Sequence, residues 1–243
     1  SEGNMKVGIV GLGSVGASVA ISTLHTGVAT ELLLNDLSSE RAEGEALDLA
    51  QGAAFYPTAI VRTASIEELA AADAVVITAG RGGRASESRL DLLRDNAAII
   101  RGIAASLKAL RGLLVVVTNP VDIMTRIAAE AAELPLARVM GTGTMLDTGR
   151  LRQALARELR IDPRSIHAQV VGEHGDSEVV LWSGGDFLIQ YQDSGAEMGS
   201  ASTTGCENST GTMGVTYSCN TAGSLSDFET VCFYMSGMTS GCH

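Results

Sequence analysis

The sequence predicts a doubly wound parallel sheet with helices on both faces, followed by a smaller α+β unit. Three observations carry this. Short runs rich in Val, Ile and Leu recur through the first 142 residues: "KVGIVG", "ELLLND", "AIVRTA", "DAVVITAG", "LLVVVTN" and "ARVMGTG". Runs that are continuously apolar rather than alternating mark strands buried on both faces, as in parallel sheets. Helical patterns separate most of them, notably over 89–110 and 121–133, which is the strand–helix alternation of an α/β domain. The composition then shifts: all 17 Lys and Arg residues precede residue 165, whereas nine of the 28 acidic residues follow it. Two domains are expected, 1–142 and 143–243.

The first run leads into "GLGSVG", which places Gly11, Gly13 and Gly16 between a strand and a helix that runs to about Gly27. The first glycine allows the tight turn, the second lets the backbone approach a pyrophosphate, and the third lets helix and strand pack closely. The helix N-terminus at Ser14 and Val15 then offers N–H groups to the phosphates. Asp36, 20 residues after Gly16 and at the end of the second run, suits the adenosine ribose hydroxyls and would repel a 2′-phosphate, so NAD is expected rather than NADP. The domain is therefore read as Rossmann-type. No G-x-x-x-x-G-K-[ST] occurs, which excludes a P-loop nucleotide site.

"SSERAEGEALDLAQG" reads as a Ser-capped helix with acidic residues in its first turns. The fourth run ends in Thr78, Ala79 and Gly80, and the fifth in Asn119. Carboxyl ends of parallel strands line the ligand crevice, so these residues join the cofactor set. A glycine-rich, Arg-bearing loop follows Gly80 and leads into the helix near Arg89. A further helix is expected over 144–160, then a strand at "IHAQVV".

The net charge of −11 argues against nucleic acid and anionic membranes as partners. No apolar run approaches the length of a membrane span. The opening "SEGNMKVGIV" lacks the basic-then-apolar pattern of a secretion signal, and a cytoplasmic location is expected. The spacing of Cys206, Cys219, Cys232 and Cys242 fits no metal motif, so no metal is expected.

Asp147 and Arg150 in "TMLDTGRLR" lie three apart on one helix face. By themselves they read as a surface ion pair. His174 in "GEHGDSE" reads alone as an ordinary turn histidine or as a proton donor. Together with the other motifs, the chain resembles the L-lactate/malate dehydrogenase family, and more closely its L-lactate branch. The stretches that carry the resemblance are "GIVGLGSVG", "ELLLND", "VVITAG", "ESRLDLLRDN", "VVTNPVD", "GTGTMLDTGRLR" and "GEHGDSEVVLWS", within residues 5–183.

The resemblance implies an NAD-dependent oxidoreductase acting on a small 2-oxo or 2-hydroxy acid. His174 would be the acid/base, Asp147 its carboxylate partner, and Arg89 the group that polarises the carbonyl. Arg150 would clamp the substrate carboxylate, and Asn119 would help position His174 and the nicotinamide ribose. The 81–88 loop would close over the substrate. Arg152 and His167 match a subunit-interface site for fructose 1,6-bisphosphate, an activator, and a homotetramer is implied.

Two departures bear on this. At the loop position where the family carries Gln for lactate or Arg for malate stands Gly83, flanked by Arg81 and Arg84. A one-residue shift would put Arg84 over the substrate and favour oxaloacetate, whereas glycine would admit a larger 2-oxo acid. Residues 184–243 depart from the family's text, except that "GVTYSCNTAGSL" echoes a segment whose threonine lines the substrate pocket, which makes Thr216 a candidate. The expectation is an L-lactate dehydrogenase. The alternatives are a malate or other L-2-hydroxy acid dehydrogenase, or an NAD-binding protein without turnover. A short-chain dehydrogenase is excluded by the absence of its Tyr-x-x-x-Lys pair.

Overall fold

A computed structural model describes residues 5–83 and 88–181, with the backbone alone for Arg89 and for 201–207 and 213–219. It divides into two units, Ser1–Gly143 and Thr144–His243.

In the first unit, strands β1 (Lys6–Val10), β2 (Glu31–Asn35), β3 (Ile60–Thr63), β4 (Ala74–Ile77), β5 (Leu113–Val116) and β6 (Val139–Gly141) form one sheet. Their order is β3-β2-β1-β4-β5-β6, and every neighbouring pair is parallel. Helices α1 (Ser14–Thr26), α2 (Ser39–Gln51), α3 (Ile66–Leu69), α4 (Arg89–Ser106) and α5 (Val121–Ala132) connect the strands. The chain winds outward from β1 to β3 and then returns to β4 on the other side of β1. This reversal makes the loops after β1 and β4 the walls of the ligand crevice.

The apolar runs read as continuous because the sheet is covered twice. Val7, Ile9, Leu32 and Leu34 pack with Ala20, Leu24 and Leu49 in one core. Leu33, Val75, Ile77 and Leu114 pack with Ile100, Leu107 and Met124 in the other. Along β2, Leu33 thus faces one core and its neighbours Leu32 and Leu34 the other, the period-two alternation of a strand. Each fully buried Leu or Ile side chain contributes about 1.5–3 kcal/mol.

Helix starts follow local chemistry. The Ser38 hydroxyl accepts the Arg41 N–H at the start of α2, and the Ser88 hydroxyl accepts the Asp91 N–H at the start of α4. Two local expectations change. The helix expected over 89–110 ends at Ser106, after which Leu107 and Leu110 turn into the core. The strand expected at "IHAQVV" shrinks to its last two residues, Val170–Val171. Helix α3 has four residues and is too short to show a period. Its signature is the capping box in which Ser65 and Glu68 satisfy each other's backbone N–H.

The second unit contains α6 (Met145–Leu159), a 3-10 turn at Pro163–Ser165, and a small antiparallel pair of β7 (Val170–Val171) and β8 (Val179–Val180). A further antiparallel pair joins β9 (Ala201–Glu207) and β10 (Met213–Cys219). Among the described residues its core is Leu155, Ala156, Ile166 and Ala168. Threonine hydroxyls fasten α6 to β7: Thr144 donates to the Val170 carbonyl (2.6 Å), and Thr148 accepts the Val170 N–H (2.9 Å). Among the described residues no helix is long and apolar enough to cross a membrane.

Candidate active site

The loop after β1 is shaped by close approach. Gly11 has φ +94°, and a Cβ there would lie 2.5 Å from the Ala79 nitrogen. A Cβ on Gly16 would lie 1.9 Å from the Gly11 carbonyl oxygen, whereas among the described residues nothing lies within 4 Å of a Cβ on Gly13. Gly11 and Gly16 therefore close the turn, and Gly13 leaves bare backbone in open space. Helix α1 begins at Ser14 with no side chain capping its first N–H groups, so these remain for an anion. Thr78 donates to the Gly11 carbonyl (2.7 Å) and so pins the loop to the end of β4.

Asp36 is held by the same loop. Its Oδ2 accepts the Leu12 N–H (2.7 Å), its Oδ1 accepts the Ser38 N–H (2.9 Å), and Arg41 lies 3.7 Å away. It lines a cleft of about 290 Å³ with Asn35, Ser39, Ala64, Ser65 and Glu68. Bare backbone at Gly13, an uncapped helix start and a carboxylate beside a cleft fit a dinucleotide with an unphosphorylated ribose.

At the ends of β4 and β5, Thr118 donates to the Ala79 carbonyl (2.7 Å). Asn96 of α4 accepts the Arg81 N–H (2.9 Å) and donates to the Asn119 carbonyl (3.2 Å). The Arg81 guanidinium grips Asp95 through Nε (2.8 Å) and Nη2 (2.6 Å). Asn119 precedes Pro120 through a cis peptide bond. Arg84 lies outside the described residues, and of Arg89 only its place as the first residue of α4 is described. Sequence reasoning missed Asn96. Its signal is a polar residue on the stripe of Leu93 and Ile100, three before and four after.

In the second unit, His174 sits in the loop between β7 and β8. The turn is opened by Gly172 at φ +101° and closed by the Glu178 N–H on the Gly175 carbonyl. The His174 Nδ1 lies 2.6 Å from Asp147 Oδ2, and Arg150 Nη1 donates to Asp147 Oδ1 (2.9 Å). The Asp147 side chain is 9% exposed, that of His174 29% and that of Arg150 63%. Burial pushes the Asp147 carboxyl up, but the hydrogen bond and charge of His174 and the pairing with Arg150 outweigh it, so it stays below its ordinary value. The i, i+3 ion pair read from the sequence thus exists, and its carboxylate is shared with a histidine 27 residues away.

Asp147, His174 and Glu178 each bring one donor atom within 4.8 Å of the others. Both Asp147 oxygens are engaged by His174 and Arg150, which suits a hydrogen-bonded acid/base pair better than a cation. A ring held at Nδ1 by a carboxylate keeps one tautomer and one orientation. Elsewhere in this unit, Arg152 donates through Nε to the Ala168 carbonyl (3.0 Å), and His167 is exposed. Thr216 pairs with Thr204 across β9 and β10.

Comparison with known proteins follows the same division. The NAD-binding domain of lactate/malate dehydrogenases matches residues 5–141, and the α/β C-terminal domain of that family matches residues 144–201. An L-lactate dehydrogenase of Lactococcus lactis subsp. cremoris is 45% identical over 193 residues, which are 76% of this chain and 62% of the relative. One from Gloeobacter violaceus is 45% identical over 194 residues, 77% of this chain and 59% of the relative. The ligand-bound crystal structure of the minor L-lactate dehydrogenase of Enterococcus mundtii superposes with a TM-score of 0.72 at 45% identity, over 75% of this chain and 59% of that one. The chain thus spans about three-fifths of the length of the curated relatives it matches.

Proposed function

The chain belongs to the lactate/malate dehydrogenase family, and from that premise we propose that it is an NAD-dependent L-lactate dehydrogenase that reduces pyruvate reversibly. The observation that carries the reading is the His174–Asp147–Arg150 cluster, in which one buried carboxylate holds both an imidazole and a guanidinium.

When bound, NADH supplies the hydride to the carbonyl carbon of the 2-oxo acid. The first unit holds the cofactor through Gly11, Gly13, Ser14, Val15, Gly16, Asp36 and the strand ends at Thr78, Ala79, Gly80 and Asn119. His174 delivers the proton to the carbonyl oxygen from Nε2, because Nδ1 is committed to Asp147. Asp147 fixes the orientation and tautomer of the ring. Arg150, the most exposed of the three, takes the substrate carboxylate with a planar two-pronged donor that lysine cannot copy. Arg89 stabilises charge developing on the carbonyl oxygen. Arg84 and Thr216 complete the proposed substrate contacts.

Gly83 supports a second reading about the acid itself. Among the described residues a Cβ there would meet only Leu92 Cδ2, at 3.3 Å, so a bulkier 2-oxo acid is the competitor to pyruvate, with oxaloacetate the alternative through Arg84. The reading extends to a cytoplasmic homotetramer in which fructose 1,6-bisphosphate binds at Arg152 and His167, where a two-fold axis would double the positive charge.

The test is NADH oxidation, followed by absorbance, with pyruvate, oxaloacetate and a bulkier 2-oxo acid, with and without fructose 1,6-bisphosphate. The reading predicts fastest turnover of pyruvate and activation by the bisphosphate. Tight NADH binding with no turnover of any acid would replace it with a dinucleotide-binding protein.

A further inference from the structure

Among the described residues the buried polar ones are Asn96, Thr118 and Asp147. Asp147 belongs to the acid/base pair and Thr118 ties two strand ends. Asn96 has no part in the chemistry above, yet it is the most deeply buried of the three, at 3% exposure. It stands on the apolar stripe of α4, between Leu93 and Ile100. Burying an amide is unfavourable unless its groups are paired.

They are paired, and only with backbone. Oδ1 accepts the Arg81 N–H (2.9 Å), and Nδ2 donates to the Arg81 carbonyl (3.3 Å) and to the Asn119 carbonyl (3.2 Å). The amide thus treats Arg81 as a neighbouring strand would, taking its donor and its acceptor together, and uses its remaining N–H on Asn119, three residues past the end of β5. The clearances around it are small: a Cβ on Gly80 would lie 2.6 Å from Thr118 Cγ2 and 3.4 Å from Asn96 Oδ1. The adjacent Asp95 grips the side chain of the same Arg81.

We infer that Asn96 is a positioning residue: it locks the Gly80–Arg81 stem and Asn119 into one fixed frame on α4, and so sets the groups that address the nicotinamide end of the cofactor and the substrate. This rests on the function proposed above. Asn96 touches neither ligand and acts through Arg81 and Asn119. A fixed frame matters because displacement of a positioning group by about 1 Å costs on the order of a hundredfold in rate.

The experiment compares Asn96→Leu and Asn96→Asp with the wild type. In the chain without cofactor, hydrogen exchange of the Arg81 amide is followed; the inference expects it to be slow in the wild type and fast in Asn96→Leu. With NADH, kcat and KM for pyruvate are measured per NADH-binding site, which removes any loss due to unfolded protein. The expected result is a fall in kcat/KM on the order of a hundredfold, with NADH affinity changed far less. Asn96→Asp keeps the volume, so it carries the test if the leucine variant does not fold. Its carboxylate would face the Arg81 and Asn119 carbonyls, and protonation at low pH restores one donor, so its activity relative to wild type rises as the pH falls.

Unchanged Arg81 exchange together with wild-type kcat/KM per site in either folded variant would overturn the inference. Should the wild type reduce no 2-oxo acid, the proposed function fails, while the Arg81 exchange still decides whether Asn96 holds the stem.

Discussion

The two units hold their functional groups by different physical means. In the first, the groups that would meet a dinucleotide are mostly backbone: the bare peptide at Gly13, the start of α1, and the strand ends beside it. Their positions follow from six strands in parallel register and two cores packed against opposite sheet faces. In the second, the groups proposed to act are side chains, His174, Asp147 and Arg150, held among the described residues by two threonine hydroxyls and a two-residue strand pair beside a core of Leu155, Ala156, Ile166 and Ala168. A backbone site is insured by the whole sheet, whereas a side-chain site depends on each hydrogen bond that aims it.

The largest effect expected from this contrast is in the second unit. His174→Asn should lower kcat/KM for pyruvate by about 10²–10⁴-fold, the usual worth of a general acid/base, and leave NADH binding intact in a fluorescence titration. Loss of NADH binding as well would break the division between the units. Arg150→Lys keeps the charge and loses the fork. A charged hydrogen bond is worth about 1.5–3 kcal/mol, so kcat/KM should fall about ten- to a hundredfold, chiefly through KM.

The glycines sharpen the comparison from the other side. Gly16→Ala puts a Cβ against the Gly11 carbonyl and should destabilise the first unit by about 1–3 kcal/mol, as overpacking does, visible as a lower denaturation midpoint. Gly13→Ala meets no atom of the described residues within 4 Å, so stability should hold while NADH affinity falls. Equal stability losses in both variants would contradict the assignment of Gly13 to the ligand.

The smallest effect is on acid stability. The Asp147 carboxyl is lowered from 3.8 in the folded chain. Its contribution is fully present above that ordinary value and is lost as the pH falls through the lowered one. Asp162, held down to about 2 by hydrogen bonds from Arg164, behaves in the same direction. Thermal melts from pH 5 downward should therefore fall less steeply for Asp147→Asn than for wild type. An unchanged slope for Asp147→Asn would contradict the pairing.

The first unit was legible because its determinants are local. Apolar runs, the glycine spacing and the Ser38 cap are each written within a few consecutive residues, and the strand ends follow from the alternation. Asn96 escaped because its partners lie 15 and 23 residues away and a single polar residue within an apolar stripe looks like noise. The pairing of Asp147 with His174 is likewise invisible to periodicity and came from the family resemblance alone. The boundary at "IHAQVV" was misplaced because burial of Ile166 and Ala168 arises from packing under α6 rather than from strand pairing.

The most direct measurement of the central claim is label transfer. The wild-type chain is mixed with NADH carrying deuterium at the transferring position and with pyruvate, and the product is read by mass spectrometry and chiral chromatography. The account predicts L-lactate with one deuterium at C2. Pyruvate recovered unchanged, or lactate without the label, would contradict it.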